Sequence, residues 1–490
     1  MFVVLIVIWC VVIVVWTWVR PKEPSPPTYP GALPLIGHAH QIFGDAIHWW
    51  KYEKQIFQYC LQNGGIIKLL FGTHPVYIMT DPDESLIIAN TCLNKTYFYE
   101  FAKEMYNRGL VTASELTWKP HRRLLNPAFN QQVLNTFLTE YNVQARNLVS
   151  LLDCQAGKDS FNVQSYLINN LLKTVCRTSL GLKDQDQTMI DKDYVHATEH
   201  LFALFVERIQ KIWLHLPLLY SLSSLKTKQD KLMSVTKRIM NGIIKKRKSE
   251  MMINNNYEKD NDPVSDKFKP LLDQMLDLAE KERAFSDDEI REHLDTIVAA
   301  AYDTTATSMT YTLLLIGSDQ ELQERIYKEL KSVLGEKERD ITKHDLPKLV
   351  YLDAVLKESL RLYPPVPVVA RAICSDIQIR NYTIPAGSSC LISLYGINRH
   401  PMWGADADQF RPERWLDPAS LPDNPNAFAT FSLGKRNCLG RLYGLMAMKT
   451  TLAHVLRRYR VIGDVNKVLT QSDILIKPVT GHDIRLELRK

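Results

Sequence analysis

The stretch FSLGKRNCLG, residues 431–440, places one cysteine, Cys438, near two cations and two glycines and directly before an apolar helical segment. Gly434 and Gly440 allow a positive φ or a close approach of another group to the backbone beside the thiol. The N–H groups at the start of the following helix, with Arg436 nearby, favour the thiolate over the thiol. A thiolate backed by glycines is a soft metal ligand with room for a broad, flat partner.

Two other uses of Cys438 stay open from the residues alone. A lone cysteine is commonly a small packing residue, whereas a cysteine nucleophile needs a histidine base, for which His400 and His454 are candidates only by default. The eight cysteines of the chain are scattered and contain no CxxC pair. That pattern argues against a disulfide scaffold or a zinc ribbon and is typical of a reducing compartment.

A second chemical feature is the polar break within a long apolar segment, residues 286–317. A capping box marks its start, and apolar side chains at helical spacing predict a helix long enough to cross the whole domain. Asp303 and Thr304 lie near its centre, where burial is costly unless both groups are used or satisfied. A bond from Thr304 to a carbonyl one turn earlier, with Asp303 paired to a distant cation, would satisfy them without function. The run of alanines before them indicates instead that a flat ligand presses against the helix.

A third feature is a pair of opposite charges, Glu358 and Arg361, three residues apart on a predicted helix within residues 349–365. The apolar residues around the pair indicate that part of its polar face is buried. Arg414, in the later segment PERW, is a further partner for the carboxylate. A buried pair joined by a second arginine would fix geometry rather than add much stability.

These residues must be positioned by one large domain, which we place at residues 38–490. Helical patterns predominate, and short β-like runs lie at residues 66–79 and 366–397, so the predicted fold is mainly α with a minor β-sheet. The chain has 490 residues, is 46% hydrophobic and carries a formal net charge of +6. Because no basic stripe is interleaved with aromatic side chains, the composition argues against nucleic-acid binding.

The N-terminus carries a separate apolar segment. Residues 2–19 contain no charged side chain, and as a helix they would rise about 27 Å, close to the thickness of the hydrocarbon core. A cleaved signal peptide is the alternative, but a basic n-region and a small-x-small cleavage site are missing. We therefore predict a transmembrane anchor over residues 1–20 and a stiff, proline-rich tether over residues 21–37. Arg20 and Lys22 after the span place the rest of the chain on the cytosolic side.

Five segments of the chain resemble motifs of the cytochromes P450. FSLGKRNCLG is similar to the haem-binding loop of that family, and AAYDTT at 300–305 to its oxygen-activating helix motif. ESLR at 358–361 and PERW at 412–415 are similar to the segments of its glutamate–arginine–arginine triad. WKPHR at 118–122 resembles the tryptophan–arginine pair that contacts the haem propionates. The likeness covers essentially the whole chain.

The resemblance implies a haem b group whose iron is ligated by the thiolate of Cys438, with the ring of Phe431 shielding the sulfur. The haem-binding residues that it implies are Trp118, Arg122, Arg371, Phe431, Gly434, Arg436, Cys438 and Gly440. The structural triad that it implies consists of Glu358, Arg361 and Arg414. Asp303 and Thr304 would deliver protons during oxygen activation.

The segments ADADQFRPERW and WKPHRRLLNPAF resemble the family-four clan, the branch with fatty-acid omega-hydroxylases and many insect enzymes. That branch often carries a glutamate, which forms an ester to haem, at the position of Ala300 and a glycine at that of Ala301. Alanine cannot form the ester, so we predict non-covalent attachment of haem. The substrate-pocket residues that the resemblance implies are Ala300, Ala301, Val366, Val368 and Thr480.

The implied function is that of a membrane-anchored haem-thiolate monooxygenase, which inserts one oxygen atom from O2 into a lipophilic substrate. Fatty acids, terpenoid or hormone-like lipids and xenobiotics all fit. Electrons would come from an NADPH–cytochrome P450 reductase, with cytochrome b5 as a second donor, at the cytosolic face of the endoplasmic reticulum membrane. A peroxide-rearranging haem-thiolate enzyme and a non-catalytic haem sensor or carrier are the alternatives. The pair Asp303 and Thr304 favours the monooxygenase, because that reaction needs proton delivery.

Overall fold

The computed structural model describes residues 2–18, 25–106, 108–183, 186, 189–190, 192–257 and 268–489. Its helices are α1 Phe2–Trp18, α2 Ala46–Gln62, α3 Pro82–Thr91, α4 Glu100–Tyr106, α5 Glu115–Leu125, α6 Gln131–Leu152, α7 Val163–Thr178, α8 Lys192–Gln210, α9 Pro217–Ser221, α10 Ser224–Tyr257, α11 Leu271–Glu282, α12 Asp287–Ser318, α13 Gln320–Leu334, α14 Val350–Leu362, α15 Leu394–Ile397 and α16 Arg441–Arg458. Its strands are β1 Ile66–Phe71, β2 His74–Met79, β3 Phe161–Asn162, β4 Val368–Ala372, β5 Ile377–Ile379, β6 Tyr382–Ile384, β7 Ser389–Ser393, β8 Tyr459–Ile462, β9 Leu469–Ser472, β10 Ile476–Thr480 and β11 Asp483–Leu488.

The apolar N-terminal segment forms α1, a helix of 17 residues. Within the described ranges, no helix combines the length and apolarity that crossing a membrane requires. The transmembrane anchor predicted over residues 1–20 is therefore not confirmed. Residues 19–24, which join the predicted anchor to the tether, lie outside the described residues.

The helix α12 forms the axis of the largest hydrophobic core. Ser286 Oγ accepts a hydrogen bond from Glu289 N (3.3 Å), and the Glu289 carboxylate accepts one from Ser286 N (3.0 Å), so the predicted capping box is present. Most side chains from Ile290 to Gly317 are buried, and α12 packs against α7, α10, α14 and α16. A helix that is buried on all sides must cross the interior, as the apolar spacing predicts.

The two β-like runs of the sequence meet in one four-stranded sheet with the strand order β1-β2-β7-β4. The strands β1 and β2 form an antiparallel hairpin, β7 joins β2 in parallel, and β4 pairs with β7 in the antiparallel sense. The prediction of a mainly helical domain with a minor sheet is confirmed. The sheet brings Arg371, on β4, next to the helical core.

A hairpin of β9 and β10 lies against α2. At its tip Ile474 has a φ of 98°, which a β-branched residue adopts only under strain. The remaining strands pair in the order β3-β11-β8 and as β5 with β6. The tip of the β9–β10 hairpin is held where it contributes to the wall of the cavity described below.

Candidate active site

A cavity of about 540 Å³ lies between α12, the loop before α16, the strand β4 and the helix α2. Its volume is typical of a small-molecule site. Cys438, Thr304 and Arg371 reach its wall from three different elements. Apolar side chains make up most of the rest of the wall, so the cavity suits a lipophilic ligand with a few fixed polar contacts.

The loop that carries Cys438 folds back on itself. Cys438 N donates a hydrogen bond to Phe431 O (2.8 Å), and Asn437 N donates one to Gly434 O (3.2 Å). Gly434 has a φ of 66°, and a Cβ atom at this position would lie 2.9 Å from Ala89 Cβ. Glycine is therefore required at 434, both by the backbone conformation and by the packing of the loop against α3. The thiol opens into the cavity at the start of α16.

The electrostatic surroundings of the thiol differ from the expectation. Burial raises the pKa of the Cys438 thiol, and the N–H of Gly440 with the cations Arg122 and Arg441 offsets only part of that rise. The helix start therefore favours the thiolate as predicted, but the contributing cations are Arg122 and Arg441 rather than Arg436, and burial outweighs all three effects. A bound metal ion would supply the missing stabilisation, since coordination deprotonates a thiol outright.

Four cations line the cavity near the loop: Lys95, Arg122, Arg371 and Arg436. Arg371 is fully buried, and its Nε and Nη2 atoms have no hydrogen-bond partner; the same holds for Nε and Nη1 of Arg436. Burial and the two neighbouring arginines lower the pKa of Lys95 well below its usual value, and burial lowers that of Arg436 to about 10. Buried cations with free donors are costly without an anionic partner. The cluster therefore fits the acidic groups of a ligand.

The two residues of the predicted tryptophan–arginine pair, Trp118 and Arg122, make different contacts. The Arg436 guanidinium lies 4.6 Å from the centroid of the buried Trp118 ring and donates from Nη2 to Ala113 O (2.7 Å). Arg122 donates from Nη1 to Asn437 O (2.9 Å) and from Nη2 to Asn437 Oδ1 (3.3 Å). Arg122 thus holds the residue next to Cys438, in addition to lining the cavity.

The two polar residues at the centre of α12 have the partners that the sequence left open as an alternative, a carbonyl one turn earlier and a distant cation. Thr304 Oγ1 lines the cavity and donates to Ala300 O one turn earlier (2.6 Å). Asp303 is fully buried, lies outside the cavity wall and pairs through Oδ2 with Lys477 Nζ at 2.7 Å. The two neighbours therefore point to different surroundings. Only the hydroxyl of the pair faces a ligand in the cavity.

The predicted triad is present and fully buried. Glu358 Oε1 accepts hydrogen bonds from Arg361 Nη2 (2.8 Å) and Arg414 Nε (2.9 Å), and Oε2 accepts from Arg361 Nε and Trp415 Nε1, both at 2.9 Å. Burial alone would raise the pKa of Glu358, but the bonds and charges of the two arginines outweigh burial and lower it. The carboxylate is thus held ionised in the interior.

Asn398 connects the triad to the loop that carries the cysteine. Arg361 donates to Asn398 O (2.8 Å), and Asn398 Nδ2 donates to Thr430 Oγ1 (2.7 Å), while Asn398 Oδ1 accepts from Ala429 N (2.8 Å). Thr430 directly precedes Phe431, whose carbonyl accepts the bond from Cys438 N. The buried ions therefore fix the backbone from which the thiol is presented.

The family model described as Cytochrome P450 matches residues 26–482 of the chain. The chain belongs to the cytochrome P450 family. It is 30% identical to cytochrome P450 4V2 of Homo sapiens over 484 residues, which cover 97% of this chain and 91% of the relative. It is 29% identical to cytochrome P450 4c3 of Drosophila melanogaster over 94% of this chain and 89% of that relative. Cytochrome P450 4c21 of Blattella germanica is 29% identical over 90% and 87%.

This cytochrome P450 is a monooxygenase of the family-four clan, and membership implies a cysteine-ligated haem iron and electrons from a redox partner. The site fits such a group on its own evidence. Cys438 opens into the cavity, and the four unpartnered guanidinium nitrogens of Arg371 and Arg436 match the donors that two carboxylates need. Ala300 and Ala301 leave room against α12.

The wall of the cytochrome P450 cavity includes most of the predicted pocket residues. Ala300, Ala301, Val366 and Val368 line it. Thr480 does not: it is exposed at the end of β10, opposite Leu469 of β9. The structure thus places Thr480 away from the cavity, because the hairpin enters the cavity by its other end, where Ser472, Ile474 and Leu475 form the tip.

Sequence reasoning missed four residues of the site. Lys95 belongs to the cation cluster, Asn398 connects the triad to the loop, and Trp415 donates to Glu358. Trp415 was inside the motif PERW, so that motif carried a signal for it. The fourth, Glu53, lines the cavity from α2. Glu53 shares the buried face of α2 with Trp50 and Phe57. The helical spacing of these residues in the sequence could have predicted a buried carboxyl group.

Proposed function

We propose that this cytochrome P450 inserts one oxygen atom from O2 into a lipophilic substrate, with a haem b group held non-covalently and electrons from an NADPH-dependent reductase. One observation carries the proposal: the loop of Cys438, the buried arginines Arg371 and Arg436 with unpartnered donors, and apolar side chains all line one cavity. Fatty acids, terpenoid or hormone-like lipids and xenobiotics are the candidate substrates.

In this proposal Cys438 ligates the iron, and Arg371, Arg436, Trp118 and Lys95 bind the propionates. The haem, when bound, supplies the oxygen-activating chemistry, which thiolate ligation favours. The protein orients the substrate and limits water. The bonds from Arg122 to Asn437 and from Cys438 N to Phe431 O hold the ligand loop in place during turnover.

Thr304 is the proposed proton-handling residue at the cavity surface. Its hydroxyl donates to Ala300 O, so the oxygen lone pairs are left to accept a hydrogen bond from a water in the cavity. Asp303 is proposed to supply protons from behind the helix, but the ion pair with Lys477 must first open, because its carboxylate is outside the cavity. The proposed proton path therefore has two steps: the ion pair between Asp303 and Lys477 opens, and the proton then reaches the cavity at Thr304.

The proposed location is the cytosolic face of the endoplasmic reticulum membrane, with residues 1–20 as anchor, residues 21–37 as tether and residues 38–490 as the catalytic domain. The absence of charged residues over 2–19 supports this proposal. The proposed partners are an NADPH–cytochrome P450 reductase, with cytochrome b5 as a second electron donor. Both lie on the cytosolic side in this arrangement.

The function is tested by reconstituting the haem-loaded chain with the reductase and measuring NADPH use, peroxide and product across lipid classes that a binding-spectrum screen has ranked. We expect hydroxylated product only with NADPH and O2. In Thr304→Ala we expect product per NADPH to fall about tenfold or more, with electrons diverted to peroxide, because a proton-handling group is lost. Thr480→Ala, exposed outside the cavity, is the matched control.

Two outcomes would contradict the proposed reaction, and a third would contradict only the role of Thr304. Isomerisation of a lipid hydroperoxide itself, with no product from NADPH and O2, would indicate a peroxide-rearranging enzyme. Haem binding without any product from the ranked lipids would indicate a sensor or carrier. Unchanged coupling in Thr304→Ala would remove Thr304 from the proton path while leaving the reaction class intact.

The mode of haem attachment gives a separate prediction. Ala300 has no carboxyl group and faces the cavity, so we expect acidified organic solvent to extract all haem from the protein after turnover. The measurement is haem absorbance in the polypeptide fraction, with a c-type cytochrome as the covalent control. Haem that stays with the polypeptide would overturn non-covalent attachment.

A further inference from the structure

The cavity wall contains one carboxyl group among the described residues that line it, that of Glu53 on α2. The other ionisable groups of the wall are thiol, phenol and cationic groups, and the cations gather at the cysteine loop. Glu53 belongs to a different wall, formed by α2 and the β9–β10 hairpin. It therefore stands apart from the haem-binding residues.

Glu53 is buried to more than nine-tenths, with 8% of its surface exposed, and its Oε2 atom has no hydrogen-bond partner. Ser472 and Trp49 lie beside the carboxyl, and both also line the cavity. Apolar residues, among them Ile56 and Phe57, surround this group. A buried carboxyl with a free oxygen is costly unless a ligand completes its hydrogen bonds.

We propose that Glu53, with Ser472 and Trp49, binds the oxygen-bearing end of a long lipophilic substrate by donating a hydrogen bond to its carbonyl, hydroxyl or carboxyl oxygen. The apolar part of the molecule then follows the wall toward the cysteine loop. This inference rests on the proposed function and narrows its substrate class. Cationic amphiphiles are not expected to bind in this way, because their ammonium group offers no oxygen to accept the hydrogen bond.

The protonation state of Glu53 supports a donor rather than an anion. Burial raises the pKa of Glu53 to about 8, and the polar groups of Ser472 and Trp49 offset only part of the rise. At pH 6.5 the carboxyl is therefore mostly neutral, and a neutral carboxyl can both donate and accept a hydrogen bond. An ionised Glu53 would instead select a cation.

The test compares the affinities of the haem-loaded full chain for 2-dodecanone, dodecane and dodecyltrimethylammonium at pH 6.5, measured by isothermal titration calorimetry without NADPH. We expect the ketone to bind about fivefold more tightly than the alkane, the worth of one net hydrogen bond. Glu53→Leu removes this preference, and Glu53→Gln keeps it because an amide also donates. Gln55→Leu, on the exposed face of the same helix, is the matched control.

Equal affinities of the wild type for ketone and alkane, or a preference for the cation, would overturn the proposal, whatever the variants do. A ketone preference that survives in Glu53→Leu would place the oxygen elsewhere in the cavity and also overturn it. These binding results are independent of turnover. Loss of NADPH-dependent product with an intact ketone preference would instead count against the proposed function alone.

Discussion

Replacement of Cys438 by serine is expected to abolish the red-shifted Soret band of the reduced, carbon-monoxide-bound protein that characterises the family. Product formation with NADPH and reductase is expected to fall more than about 100-fold. Mutation of a residue that only hydrogen-bonds a metal ligand already costs about 10- to 100-fold, and loss of the ligand itself should cost more. The hydroxyl keeps the size of the thiol but not its softness as a ligand or its electron donation to iron.

The geometry of the loop makes this substitution a clean test. The bond to Phe431 O comes from the backbone of Cys438, so serine leaves it in place. Cys374 is an exposed cysteine outside the cavity wall, and Cys374→Ser serves as the control with unchanged spectrum and activity. A band that persists in Cys438→Ser would show that another residue ligates the iron, and the assignment of the site would fail.

Local signals in the sequence predicted the parts of the fold that depend on neighbours in the chain. The capping box and apolar spacing predicted α12 because both act within a few turns of one helix. The β-like runs at 66–79 and 366–397 predicted strands but not their joining in one sheet, because β2 pairs in parallel with the distant β7. Such pairing is decided by packing rather than by local propensity.

The residues of the site divide in the same way. Cys438, Glu358 and Arg361 lie in motifs with fixed spacing. The structure places Cys438 at the wall of the cavity and joins Glu358 to Arg361 in a buried ion pair. Lys95 joins its cluster only through the fold, because nothing in its own segment distinguishes it from a surface lysine. The placement of Thr480 outside the cavity has a related reason: periodicity shows that a hairpin exists but not which end of it enters a cavity.

The balance of charges in the interior was the property that the sequence predicted least well. The sequence indicated cations near the thiol, yet the pKa of Cys438 is raised because burial outweighs Arg122 and Arg441. Whether Asp303 faced a ligand or a cation was open, and Lys477, on a strand near the C-terminus, decided it. Desolvation and long-range pairing depend on the packed structure, so residue types alone do not give their sign.

The buried triad carries the second large prediction, for stability and for retention of haem. Arg414→Leu removes one of the two arginines on Glu358, and breaking a buried ion pair costs about 3–5 kcal/mol because the remaining charge stays desolvated. We expect a matching fall in the free energy of unfolding, measured by urea denaturation of the haem-loaded protein. Arg485→Leu breaks an ion pair whose side chains are 50% and 39% exposed, so it should cost less than about 1 kcal/mol.

The pH dependence separates loss of the charge pair from loss of packing. The folded pKa of Glu358 is lowered, so its stabilising contribution is complete above the ordinary glutamate pKa and is lost as the pH falls through the folded value. Without Arg414 the folded pKa rises, and acid unfolding should begin at a higher pH than in the wild type. Haem should be released over the same pH interval, since Asn398 and Thr430 connect the triad to the cysteine loop. An Arg414→Leu protein that is no less stable than Arg485→Leu and keeps its haem at low pH would show that the triad does not hold that loop.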